Sequence, residues 1–191
     1  MIKEHAKNYL NDLIKSIDRL PIEKIEKIAD ELKKAYKGKK HIFIMGNGGS
    51  AATASHFVCD LSKGTTVSGK KRFRVVGLTD NVPLMTAWGN DVSYEDIFKA
   101  QLENIVEKRD VVIVFTGSGN SPNIIKAVKY SNSAGAVTIG FTGFNGGKLK
   151  GCAKISLVVP SKNMERIEDI HLILEHLIKL FLFEEIRTGR I

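Results

Sequence analysis

With 191 residues, 43% of them hydrophobic and 26% charged, the chain has the composition of a folded domain with a substantial core, which excludes a disordered or collagen-like chain. Its two cysteines, Cys59 and Cys152, lack metal-finger spacing and are expected as reduced thiols. The net charge of +8 is spread over the chain and dense only from Lys70 to Arg74, so anionic small molecules are favoured as partners and nucleic acid is not expected.

In chain order, residues 3 to about 37 predict two amphipathic helices. Leu10, Leu13, Ile14 and Ile17 recur at helical spacing, Pro21 breaks the pattern, and Ile25, Ile28, Ala29 and Leu32 resume it. Gly38 is a candidate C-cap. Ile42 to Met45 then reads as a buried strand, Gly46-Asn47-Gly48-Gly49-Ser50 as a turn, and Ala51 onward as a helix. The same grammar repeats. Arg74 to Leu78 is a strand, Val82 to Trp88 a short helix, Gly89-Asn90-Asp91 a turn, and Tyr94 to Val106 a helix. Val111 to Phe115 is a continuous apolar run typical of a central parallel strand. Thr116 to Ser121 is a turn and Pro122 suits the start of the next helix. Ala136 to Phe141 and Ile155 to Val159 are strands, Thr142 to Gly147 is a loop, and Ile167 to about Ile186 is a terminal helix. Alternating strands and helices imply an α/β fold, a doubly wound parallel sheet flanked by helices. One domain is expected over residues 1–191, with 1–37 as a helical extension and 38–191 as the α/β core. No apolar run approaches the ~20 residues of a membrane helix, and Met1 to Lys7 lacks the apolar stretch of a signal peptide, so a cytoplasmic protein is expected.

Two loops at strand ends carry the chemistry. Gly46 to Ser50 joins a strand to a helix N-terminus, where free N–H groups and the helix dipole attract anions. Asn47 and Ser50 add side-chain donors, and Gly48 and Gly49 let the backbone approach a ligand. Thr116 to Ser121 offers three hydroxyls beside a second helix start. Neither loop matches the dinucleotide GxGxxG or the GxxxxGK[ST] pattern, but together they suit a phosphate monoester. His56 and Asp60 share one helix face. The terminal helix carries Glu168, Asp169, His171, Glu175 and His176, with Glu168 and His176 about two turns apart. Were His56, Asp60, Glu168 and His176 to converge, two imidazoles and two carboxylates would suit a divalent metal or acid/base work on a sugar. Otherwise they are surface or hydrogen-bonded core groups. His171 points away from His176 and reads as a core residue. Trp88 and Tyr94 read as core packing. Asp80 either lines the pocket or caps the next helix.

Taken together, Gly46-Asn47-Gly48-Gly49-Ser50-Ala51-Ala52 with His56-Phe57, Leu78-Thr79-Asp80, Gly89-Asn90-Asp91, Ser118-Gly119-Asn120-Ser121, and Arg166-Ile167 with His171 and His176 resemble the SIS (sugar isomerase) domain family in its phosphoheptose isomerase branch. The resemblance runs from about residue 40 to 185. It implies a homotetramer with active sites between subunits. It implies that Ser50, Thr116, Ser118 and Ser121 hold a sugar phosphate, within substrate-binding loops that include Asn47, Gly48, Gly49 and Gly117. Asn90, Asp91 and Glu168 would reach the sugar. It also implies a metal, typically zinc, on His56, Asp60, Glu168 and His176, with Asp60 and His176 moving protons in an aldose–ketose isomerisation through an enediol. This sequence has Asp60 where the branch has glutamate, Glu168 where it has glutamine, Gly117 in place of a hydroxyl residue, and Gly64 where an arginine is usual, with Lys63 the nearest basic residue in sequence. A non-catalytic phosphosugar-binding or regulatory protein is the alternative, and the retained His176 weighs against it.

Overall fold

The apolar runs form one parallel sheet. In a computed structural model describing residues 1–191, β1 (His41–Gly46), β2 (Arg74–Gly77), β3 (Val111–Phe115), β4 (Val137–Thr142) and β5 (Ile155–Val158) lie in the order β2-β1-β3-β4-β5, with every neighbouring pair parallel. All five residues of β3 are buried, as a strand covered on both faces requires. Ile42 stands opposite Val111 and Ile44 opposite Ile113. From β1 the chain passes to β2 on one side and then crosses to β3 on the other. That reversal opens a crevice at the carboxyl ends of β1 and β3, where an open α/β sheet binds its ligand.

Two helical layers cover the sheet. One contains α1 (Ile2–Ile17), α2 (Ile22–Gly38), α3 (Gly49–Cys59) and α8 (Met164–Arg187). These pack around the fully buried Ile28, Leu32, Phe57, Phe115, Phe141, Leu174 and Ile178. Phe115 and Phe141 stack with ring centroids 4.8 Å apart, and burying a side chain of this size contributes roughly 2–3 kcal/mol. The second layer contains α4 (Val82–Asp91), α5 (Lys99–Ile105), α6 (Pro122–Ser133) and α7 (Leu149–Cys152), around Phe43, Met45, Phe98, Leu102 and Ile124. α1 docks through polar contacts with the start of α8. The Tyr9 hydroxyl donates to Asp169, and Arg166 pairs with Asp12 at 3.2 Å.

The structure departs from the sequence reading at element ends. Gly38 is the last residue of α2, and the left-handed cap falls on Lys39, at φ 52°. The predicted turn at Gly89-Asn90-Asp91 is helical, the last turn of α4. Gly and Asn lower helix propensity by only ~1 kcal/mol or less, too little to stop a helix whose start is fixed. The cap at that start is Asn81, whose Oδ1 accepts from the Leu84 N–H at 3.1 Å. Asp80 is not the cap; its carboxylate accepts from the Ser55 hydroxyl at 2.6 Å. The predicted helix from Tyr94 to Val106 is divided into a 3-10 turn, Tyr94–Asp96, and α5. α8 starts three residues earlier than the apolar pattern predicts, because Asn163 Oδ1 caps the Arg166 N–H at 2.9 Å. No helix is long and apolar enough to cross a membrane.

Candidate active site

The glycine-rich loop after β1 and the hydroxyl-rich loop after β3 meet at the crevice. Gly48, at φ 55°, turns the chain from β1 into α3, a conformation glycine adopts at little cost. Ser50 and Thr116 are buried, while Ser118 and Ser121 are half-buried. The Thr116 hydroxyl accepts from the Gly119 N–H at 3.3 Å and the Ser118 hydroxyl from the Asn120 N–H at 3.2 Å, which fixes the turn between β3 and α6. Gly119 has φ 68°, and a Cβ there would lie 2.2 Å from the Gly146 carbonyl oxygen. Only glycine fits. Gly117 lies beneath Met164, with a Cβ position 2.1 Å from that sulfur.

A reciprocal amide pair joins the loops. Asn47 Nδ2 donates to Asn123 Oδ1, and Asn123 Nδ2 donates to Asn47 Oδ1, both at 2.9 Å. Asn123 Oδ1 also accepts the Ile124 N–H, and the Tyr94 hydroxyl donates to Asn47 Oδ1 at 3.1 Å. The side chain of Asn47, expected as a ligand donor, therefore positions the two loops against each other. Asn123 was missed from sequence, and a polar residue in the first turn after Ser121-Pro122 was the available signal. Tyr94, expected in the core, is exposed apart from this bond, whereas Trp88 packs partly against the second core as expected.

One turn and more along α3, a second group forms against α8. His56 Nε2 lies 3.2 Å from His176 Nε2, and His176 Nε2 lies 3.9 Å from Asp60 Oδ2. Glu175 Oε1 is 3.6 Å from His56 Nε2 and 3.8 Å from His176 Nε2. One ligating atom from each of His56, Asp60, Glu175 and His176 lies within 4.8 Å of the others. Asp60 opens a five-residue π-helical turn, Asp60–Gly64, that ends the α3 segment. Such turns often occur at functional sites. Burial, and after it the charge of Asp60, pushes the Glu175 carboxyl up to about 8. Asp60 Oδ2 and both Glu175 oxygens are buried without a hydrogen-bond partner. Orphaned carboxylate oxygens beside two imidazoles are the donor set a divalent cation satisfies, and the residues present fit one. The half-exposed imidazoles leave one side of the group open.

Glu168, expected in this group, is not brought to it. Eight residues along a helix separate the Cα atoms of Glu168 and His176 by ~12 Å axially, and Glu168 is not among the residues whose ligating atoms cluster with His56 and Asp60. Instead both Glu168 oxygens lie 2.9 Å from the position a Cβ would take on Gly49, against the first turn of α3. Asn90 and Asp91 are exposed at the end of α4, with Asn90 Nδ2 donating to Asp91 Oδ1 at 2.8 Å. They belong to the helical layer opposite α3 and α8. The space over Gly64 is filled by Lys179 of α8, whose Cε lies 2.5 Å from the Cβ position. His171 is buried as expected. Its Nε2 lies 3.3 Å from the Thr142 carbonyl and its ring lies against Phe115 and Phe141. Burial pulls its pKa down to about 4, against the opposing hydrogen bond.

Comparison with known proteins gives one consistent picture. Residues 7–143 match the SIS domain model. The chain is 39% identical over 173 residues to a probable phosphoheptose isomerase of Thermoplasma acidophilum, covering 91% of this chain and 94% of that protein. It is 40% identical over 158 residues to the phosphoheptose isomerase of Aliarcobacter butzleri, covering 83% and 82%. The structure superposes on the phosphoheptose isomerase of Neisseria gonorrhoeae with TM-score 0.88 and 27% identity, covering 95% and 98% of the two chains.

Proposed function

The chain belongs to the SIS domain family, and we propose that it is a metal-assisted phosphosugar aldose–ketose isomerase. The proposed reaction converts sedoheptulose 7-phosphate to D-glycero-D-manno-heptose 7-phosphate. The observation that carries this reading is one helix, α3, that starts at the crevice between a glycine-rich and a hydroxyl-rich loop and brings His56 beside His176 and Asp60. In this reading the β3–α6 loop takes the phosphate, through Thr116, Ser118 and Ser121 with backbone support from Gly117. Ser50, Gly48 and Gly49 line the other wall. Glu168 lies where a second anion would sit against α3, so it suits sugar hydroxyls better than phosphate. Asn90 and Asp91, on the opposite layer, would serve a site shared between subunits. That placement and the exposed apolar residues Ile173, Leu177, Leu180 and Phe181 on α8 support a homotetramer. We take residues 1–191 as one SIS domain, acting in the cytoplasm.

A divalent cation, zinc in this reading, would be held by His56, Asp60 and His176 with a further α8 group, and when bound it polarises the oxygens of the reacting carbons. The remaining chemistry belongs to the chain. One side chain removes the proton from the carbon beside the carbonyl, leaving an enediol, and the proton returns to the neighbouring carbon. The adjacent hydroxyl proton moves to the former carbonyl oxygen, so the substrate is isomerised with no net gain or loss. In this reading Asp60 and His176, 3.9 Å apart, make these transfers. The test is an isomerase assay on purified protein with added zinc. Turnover of sedoheptulose 7-phosphate that is lost in His176→Ala is expected. No turnover of any five- to seven-carbon ketose phosphate, with metal bound, refutes the reading.

A further inference from the structure

We propose that Glu175 is a protein ligand of the divalent cation, so that a single chain holds the ion through His56, Asp60, Glu175 and His176. This rests on the metal reading above and assigns a residue that the sequence motifs pass over. The four ligating atoms already lie within 4.8 Å of one another. Glu175 is fully buried, yet neither of its oxygens has a hydrogen-bond partner. Its neighbours within ion-pair distance are the two imidazoles, and no lysine or arginine reaches it. A carboxylate in that setting costs several kcal/mol unless a cation or a proton satisfies it. It also interrupts an apolar stripe, since Ile170, Leu174, Ile178 and Leu182 on α8 are all fully buried. A glutamate beside such a stripe gains nothing from packing and needs a polar reason to be there.

The ligand set accounts for two features together. Asp60 is short and leaves its Oδ2 buried and unpartnered at the seam of α3 and α8. Glu175 enters the same seam from α8, beside His176, and supplies the second carboxylate there, while the Glu168 oxygens lie against Gly49. Two carboxylates, two neutral imidazoles and a divalent ion sum to zero charge, which suits a site enclosed on one side. Glu168 is thereby left at Gly49, free for substrate.

The experiment is a competition titration of the chelator-stripped, full-length protein with zinc and cobalt against a chromophoric chelator. Glu175→Gln and Glu175→Leu are compared with Glu168→Gln and wild type. Glu175→Gln keeps the shape of the side chain, and Glu175→Leu continues the apolar stripe, so at least one is expected to fold. Either should weaken metal binding about 100-fold or more and alter the visible absorption of bound cobalt. Glu168→Gln should stay within about threefold of wild type and keep the wild-type spectrum. Wild-type affinity and spectrum in both Glu175 variants overturn the proposal, as does a loss confined to Glu168→Gln. A wild-type protein that takes up no divalent ion overturns both this inference and the metal reading. Failure of the Glu175 assignment alone leaves wild-type binding intact.

Discussion

Glu175→Gln should make the metal-free protein less sensitive to alkaline pH. The wild-type carboxyl titrates at about 8 in the folded chain against an ordinary 4.5. Between those values the folded state holds a proton the unfolded state has released, so stability is fully present below about 4.5 and falls as pH rises through 8. A difference of about 3.5 units corresponds to about 5 kcal/mol for a site sealed from water. His56 and His176 are nearly half exposed and let solvent near the group, which reduces the expected loss to about 2–3 kcal/mol. Glutamine has the same shape and no charge to release, so that loss is absent. The assay is urea unfolding in excess chelator at pH 5.5 and pH 9. Wild type should lose about 2 kcal/mol more than Glu175→Gln between the two, because most but not all of the interval from 4.5 to 8 lies in this window. Parallel losses would refute the reasoning, because they would mean that Glu175 ionises in the folded chain as easily as in water. With metal present the order reverses, since the variant forfeits a ligand.

Buried His171 and the tight turn at Gly119 lead to two further outcomes. His171 is neutral and buried with its pKa pulled to about 4, so the stability it contributes is present above its ordinary 6.5 and is lost as pH falls toward 4. His171→Gln should therefore remove about 3 kcal/mol of the acid-side loss, measured as the difference in unfolding free energy between pH 7 and pH 4.5. Gly119→Ala forces a left-handed alanine whose Cβ lies 2.2 Å from the Gly146 carbonyl. A cost of about 3 kcal/mol is expected, with the β3–α6 loop displaced. Its signature is a KM for phosphosugar that rises far more than kcat falls, and an unchanged KM would show that this loop does not hold the phosphate.

The order of strands and helices was legible in the sequence because apolar runs and helical periodicity are local properties. So was the pairing of a glycine turn with a helix start after β1, and the hydroxyl-rich turn after β3. His56 and Asp60 could be placed together because four residues bring side chains onto one face of a helix. Tertiary structure decided which residues of α8 meet them. Spacing along α8 made Glu168 and His176 a plausible pair, but α8 lies along α3 so that Glu168 faces Gly49 at the helix start while His176 faces His56. Glu175, adjacent to His176 and hidden beside an apolar stripe, faces the seam between the two helices. The reciprocal pairing of Asn47 with Asn123 likewise depends on β1 and β3 being neighbours, which the β2-β1-β3-β4-β5 order creates. Local chemistry thus determined the elements and the kind of groups available, while helix-on-helix register determined which carboxylate shares a site with the histidines.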